Sequence, residues 1–186
     1  MADVRISVED TGARLSLGRR VSSIQRKEVR HAVGVKTLSN IDEIFEQEGY
    51  PPRSWRLLNA STLIEQFTRR GKSSTTKRGR QRKPFLRFAA GKKILTDTAR
   101  LRRSIQYRLA GSNRVEVGTS VIYARIHQEG GTIVPRRAKA LRIPLGDGRV
   151  IFRKFVRIPA RPFLLFRPQD QASLVEAAEA ALEAFR

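Results

Sequence analysis

Ile94-Leu-Thr-Asp-Thr-Ala-Arg-Leu-Arg-Arg-Ser-Ile105, Val115-Glu-Val-Gly-Thr119, Tyr123-Ala-Arg-Ile-His-Gln-Glu-Gly-Gly-Thr132 and Ile158-Pro-Ala-Arg-Pro-Phe-Leu164 follow one another along the chain. Their periodicities decide the fold class. Leu95, Leu101 and Ile105 suit one face of a short helix, with Thr96 or Asp97 as its N-cap. Val115 and Val117 alternate with Glu116 and end at Gly118, the pattern of a half-buried strand and a turn. Tyr123, Ile126 and His127 stand at i, i+3 and i+4, and share a face if that segment is helical. Gly130-Gly131 would end that helix, as glycines in the left-handed region do.

Working outward, Leu141, Ile143 and Leu145 alternate with Arg142 and Pro144. The proline marks an edge strand or a strand end, because it cannot donate to a ladder. Gly146-Asp-Gly148 reads as a turn, and Val150 to Val156 as the returning arm of a hairpin. Met1 to Val8 alternates like a strand. Ile24 to Glu48 reads as helical and stops at Gly49, with Gly34 and Thr37 allowing a break. Tyr50-Pro-Pro-Arg-Ser-Trp55 is an extended turn. Gln169 to Phe185 reads as a terminal helix with Leu174, Ala177, Ala178, Ala181, Leu182 and Phe185 on one stripe. Asp170 suits its positive end and Arg186 its negative end. The expected class is α+β: a small, mainly antiparallel sheet flanked by helices, with a long basic flexible loop and a C-terminal helix, in a single domain over residues 1–186.

Charge distribution adds a constraint. The 186 residues carry 38 Lys and Arg against 17 Asp and Glu, a net charge of +21. Residues 1–60 are nearly balanced, with ten basic and eight acidic side chains. From Arg69 to Lys93 there are eleven basic residues and no acid. The middle of that stretch, residues 71–84, has no aliphatic or aromatic side chain, too little apolar surface to offset the entropy of ordering. Residues 69–93 are therefore expected as a flexible basic loop. Lys77, Arg78, Arg80, Arg82 and Lys83 are its candidate DNA- or anion-facing residues, since phosphate contacts need charge without base readout. Docking on acidic surfaces of neighbouring proteins is the other reading of the same charge. Cysteine is absent, so thiolate metal sites and disulfides are excluded. No apolar run approaches the ~18 residues of a membrane span.

His127 invites a catalytic reading beside Gln128 and Glu129. Ser104, Thr119 and Ser120 are available hydroxyls, yet no nucleophile elbow surrounds them, and His31 has no metal-ligand spacing to His127. The glycines lack the spacing of a phosphate-binding loop. A packing histidine is the preferred reading. No catalytic, cofactor or metal residue is assigned, and no enzyme is expected.

In their order and spacing the pieces quoted above resemble the virion morphogenesis, or tail completion, proteins of tailed bacteriophages. Phe45, Glu48-Gly49, Trp55 and Thr62 extend the resemblance upstream, so that it covers roughly Ile24 to Leu165. Thr98-Ala99 departs from the Thr-Gly that often stands here in related proteins. Alanine is compatible with helix, so the preceding turn is expected to tighten into it. The resemblance implies structural roles for Trp55, Leu101, Gly118, Tyr123, His127, Gly130, Gly131, Pro159, Arg161, Pro162 and Phe163. It implies a virion protein at the tail–head junction, assembled in the host cytoplasm. Subunits would close into a ring, sixfold in the family, capping the tail tube and meeting the head connector, with genomic DNA passing through the lumen. The proline-interrupted segment at Pro159 and Pro162 is either a docking edge or an irregular cover for the core. A head-side neck connector and a free DNA-binding packaging accessory protein are the alternatives.

Overall fold

The computed structural model describes residues 4–9, 23–111, 113–145 and 150–184, and gives the backbone alone for 4–9, 23–26 and Arg53. The expected turn at Gly146 to Gly148, together with Phe185 and Arg186, lies outside the described residues.

The longest element is helix α1 (Ser23–Glu46), which runs unbroken through Gly34 and Thr37. The break that Gly34 and Thr37 would allow does not occur, for two reasons. Thr37 Oγ1 returns to the Val33 carbonyl at 2.7 Å, a bond compatible with helix. Gly34 is buried, and a Cβ placed there would sit 2.4 Å from the Tyr107 ring. The glycine lets the helix approach the sheet, so its weak helix propensity is overruled by packing.

That sheet has three antiparallel strands in the order β1 (Val4–Glu9), β5 (Arg114–Thr119), β4 (Gln106–Ala110). Ile6 pairs Val117, and Tyr107 pairs the same residue from the other side. Val115 and Val117 are buried while Glu116 is partly exposed, as the alternation requires. Gly118 lies inside the strand, opposite Arg5 and Gln106, and not in a turn. The chain turns after Thr119, whose Oγ1 accepts from the Val121 amide at 3.2 Å.

Helix α1 packs on β4 and β5 and also on the terminal helix α6 (Pro168–Glu183). Ile41, Ile44 and Phe45 join Trp55, Leu101, Ile105, Val115, Val117 and Phe163 in one buried core. Burying a residue such as Phe45 fully stabilises by about 1.5–3 kcal/mol. On α6, Leu174 is buried, while Ala177, Ala178, Ala181 and Leu182 are half-buried, as the stripe requires.

Three short antiparallel ribbons surround this frame. The first joins β2 (Gly49–Tyr50) to β3 (Arg53–Ser54) through a cis Pro51–Pro52 bond. The second pairs β6 (Gly131–Ile133) with β9 (Val156–Ile158), and the third pairs β7 (Leu141–Pro144) with β8 (Val150–Arg153). The returning arm of the expected hairpin is therefore shorter than Val150 to Val156, because Val156 leaves it to pair with Ile133.

The helix expected from Thr96 is reduced to one turn, α4 (Arg100–Arg103), whose N-cap is Ala99. Ala99 has φ 54°, in the left-handed region. The turn does not tighten into the helix. The departure from glycine leaves an alanine in a conformation that glycine adopts without steric cost. Leu101 is buried from α4 and Ile105 from just beyond it, while Leu95 stands at φ 59° and is partly buried.

Candidate assembly junction and basic hairpin

Helix α5 (Ala124–Glu129) begins at Tyr123 and ends at Gly130, whose φ is 73°. A Cβ on Gly130 would lie 2.7 Å from the Ala160 amide nitrogen, so the glycine permits two backbones to pass. The segment 159–164 is thereby laid against α5. The Arg161 amide donates to the His127 carbonyl at 2.7 Å. Gln128 completes the attachment: its Oε1 accepts from the amides of Phe163 and Leu164, both at 3.0 Å, and its Nε2 donates to the Leu164 carbonyl at 2.8 Å. A side-chain amide thus takes the place of a sheet partner for a stretch whose prolines cannot sustain a ladder.

Trp55 closes the other side. Its Nε1 donates to the Pro162 carbonyl at 2.9 Å, and its ring meets Phe45 edge-on at 5.5 Å. Phe45 in turn packs on Phe163, which is 0% exposed. The Arg161 guanidinium, also buried, donates to the Arg56 carbonyl through Nη2 at 3.0 Å. Burial, and secondarily the Arg56 charge, lower its pKa. Trp55, Leu101, His127, Gly130, Arg161, Pro162 and Phe163 thus belong to one connected junction in and around the core. Gly118 belongs to the sheet, and Gly131 starts β6. Gln128, part of the Tyr-Ala-x-x-His-Gln stretch that carried the resemblance, holds more of this junction than His127 does. Its neighbours in sequence are equally polar, so only the folded path of 163–164 reveals it.

His127 sits half-buried in a cleft of about 470 Å³ whose walls include Leu58, Gln66, Leu101, Tyr123 and Arg161. Tyr123 meets its ring edge-on at 6.0 Å. Burial, and then the Arg161 charge, push its pKa down, which favours the neutral imidazole. Two of the hydroxyls weighed as partners, Ser104 and Thr119, are engaged elsewhere. Ser104 Oγ donates to the Leu101 carbonyl at 2.7 Å and lies 2.6 Å from Thr119 Oγ1. Ser120 is exposed.

A second device the sequence did not reveal joins α1 to α6. Arg167 is 1% exposed, and its guanidinium donates to Asp170 Oδ1 at 2.7 Å and to Glu43 Oε2 at 2.9 Å. Asp170 Oδ2 also accepts the Arg167 amide at 2.7 Å, tying the first turn of α6 back to its N-cap. Asp170 therefore does more than face a helix dipole: it neutralises a buried cation. The paired carboxylates raise the Arg167 pKa, Asp170 most of all.

The basic segment folds differently from the uniform loop expected over 69–93. Its second part is helix α3 (Lys83–Gly91), which packs beside α2 (Ala60–Thr68). Phe85 and Phe88 supply the reason: they meet Phe67 at 5.4 and 5.3 Å, giving this segment apolar anchors at its end. Residues 69–82 are the connection. Within it Thr75 bridges Gln81, and the Gly79 amide donates to the Thr76 carbonyl at 2.9 Å.

Nor are all eleven cations unopposed. Arg69 pairs with Glu65 and, with Arg70 and Lys92, with Asp97, while Lys93 pairs with Glu46 at 2.8 Å. These four close the base of the hairpin. Lys77, Arg78, Arg80, Arg82 and Lys83 are all exposed around the tip, and none of them is in an ion pair among the described residues. The five candidate anion-facing residues are thus brought together on one projection. No helix among the described residues is long and apolar enough to cross a membrane. No group of three or more His, Asp or Glu side chains that could hold a metal ion occurs among them.

The phage virion morphogenesis family matches residues 25–183, which include the junction, the hairpin and both long helices. The Mu-like prophage FluMu G protein 2 of Haemophilus influenzae is 43% identical over 82 residues, 44% of this chain and 46% of that protein. The chain therefore aligns with less than half the length of that relative. No solved structure matches. Virion morphogenesis is a building role and not a catalytic one, which suits side chains spent on packing and capping. With nearly all of its folded core inside the match, the chain belongs to the phage virion morphogenesis family.

Proposed function

We propose that this chain is a tail-completion subunit: copies close into a ring, sixfold, that caps the tail tube and joins it to the head connector. The observation that carries the reading is the family match from residue 25 to 183, which spans the entire packed frame rather than one motif. The basic tip at Lys77–Lys83 then faces the lumen, where the genome passes. A sequence-independent phosphate contact needs only exposed cations, and the tip supplies five at one place. A ring built by rotation uses two different faces of each subunit, and closes when the rotation does.

The test is cryo-electron microscopy of purified virions carrying a labelled copy of the chain. A closed ring of label at the tail–head junction is the expected result. Label confined to the capsid interior, or absent from particles, overturns the reading. The same basic tip favours a second reading, a free DNA-binding accessory protein. That reading requires monomers or dimers on DNA and no ring in the particle.

A further inference from the structure

Residues 131–145 and 150–158 form an arm of two ribbons, β6–β9 and β7–β8, whose strands pack chiefly on each other. These described residues hold seven Lys and Arg and no acid. Phe152 and Phe155, 66% and 53% exposed, lie among these cations. In the β7–β8 register Arg142 is opposite Phe152, so the two share one face, and both are exposed. None of Arg142, Arg153, Lys154 and Arg157 is in an ion pair among the described residues. Exposed aromatics bordered by arginines are enriched at protein contacts, whereas contact with duplex phosphates uses charge without the rings.

Among the described residues, helix α6 presents a surface of opposite character. Helix α6 has four acidic residues and no Lys or Arg. Asp170 is spent on Arg167, but Glu176, Glu179 and Glu183 are exposed and unpaired among the described residues. Their spacing places them in one line on the outward side, beside Val175, which is 46% exposed. On a chain of net charge +21, this is where a second cationic copy can approach without repulsion.

We propose that the arm of one copy docks on the outward face of α6 of the next, Phe152 and Phe155 against Val175, and the arm's arginines against Glu176, Glu179 and Glu183. The contact is heterologous, so it can propagate around a ring. The proposal rests on the ring reading for its biological setting, but not for its chemistry.

The chain has no cysteine, which makes disulfide trapping unambiguous. Phe152→Cys and Glu179→Cys are prepared separately, one of them tagged. They are mixed under mild oxidation, both as purified protein and in particles assembled with the two variants. Cross-linked tagged–untagged pairs in several-fold excess over either variant alone are expected. Arg142→Glu, or Glu176→Arg with Glu179→Arg, should each lower that yield about tenfold, and the two changes combined on opposite partners should restore it. Equal yields from mixed and single variants, in solution and in particles, overturn the docking. So does an arm variant that loses DNA binding and keeps the cross-link. A ring seen in virions without the cross-link defeats this contact alone, whereas the cross-link without a ring defeats the ring reading alone. Circular dichroism of each variant guards against misfolding, and these side chains are exposed.

Discussion

Arg167 and Arg80 are the same residue type put to opposite uses. Arg167 lies between Asp170 and Glu43 at the seam of α1 and α6, with 1% of its surface exposed. Arg80 stands at the tip of the α2–α3 hairpin, exposed and without an ion pair among the described residues. A buried guanidinium is tolerable only with its carboxylates in place, so that seam is specified by charge pairing. The tip has no such requirement, and its charge is left for something outside the subunit. The net charge of a chain therefore does not measure what is available for binding; only the unpaired cations count.

Mutations can break this contrast, starting where the seam is most demanding. Asp170→Ala removes the first partner of a buried cation and its capping bond. It should destabilise by about 3–5 kcal/mol, read as a fall in the denaturant midpoint with m unchanged. A loss within 0.5 kcal/mol would mean that Glu43 and solvent suffice for Arg167, and the seam would be no more specified than the tip.

Gln128→Ala tests the neighbouring junction. The Phe163 and Leu164 amides lose their acceptor, and each buried unsatisfied donor costs about 1–3 kcal/mol. A total of about 2–4 kcal/mol is expected in thermal or chemical unfolding. His127→Gln should cost far less at neutral pH and leave a soluble, folded protein. It should also remove a pH dependence. The folded His127 pKa lies below its ordinary value of 6.5, so the unfolded chain binds more protons in that window. Stability is then full above about 6.5 and declines as pH falls through it toward the folded pKa. Identical pH profiles for the wild type and His127→Gln would remove the imidazole from that account.

Ala99→Gly runs in the other direction. Relief of the left-handed alanine exceeds the extra chain entropy of glycine, for a gain of about 0.5–1 kcal/mol. A loss of stability would place α4 under other control.

The smallest effect on folding is expected where the effect on binding is largest. Replacing Lys77, Arg78, Arg80, Arg82 and Lys83 by Ser should move stability by less than about 0.5 kcal/mol, since these side chains are exposed. Binding of duplex DNA by the parent should be sequence-independent and fall steeply with salt. The variant's slope should flatten by about 0.9 for each phosphate it no longer neutralises. An unchanged slope would free the tip from any role on DNA. A marked loss of stability would erase the contrast between tip and seam.

Local pattern alone determined a good part of this protein. The alternation at Val115 to Thr119, the helical spacing from Ile24 to Glu48 and the alanine-rich stripe after Pro168 each formed as their periods require, because each element buries its own apolar face. The order of Tyr123, His127, Gly130 and Pro159 to Phe163 carried the family. What the sequence left open depends on partners distant along the chain. Gly34 reads as a helix weakness until Tyr107 is seen against it. Phe85 and Phe88 border a polar stretch until Phe67 arrives to make α3 a packed helix. Gln128 is one polar residue among several until the proline-bearing segment lies down on it. Arg167 reaches Glu43, 124 positions earlier, only when α6 docks on α1. In each case the deciding energy is a long-range contact or a buried charge pair, and local spacing does not encode such terms.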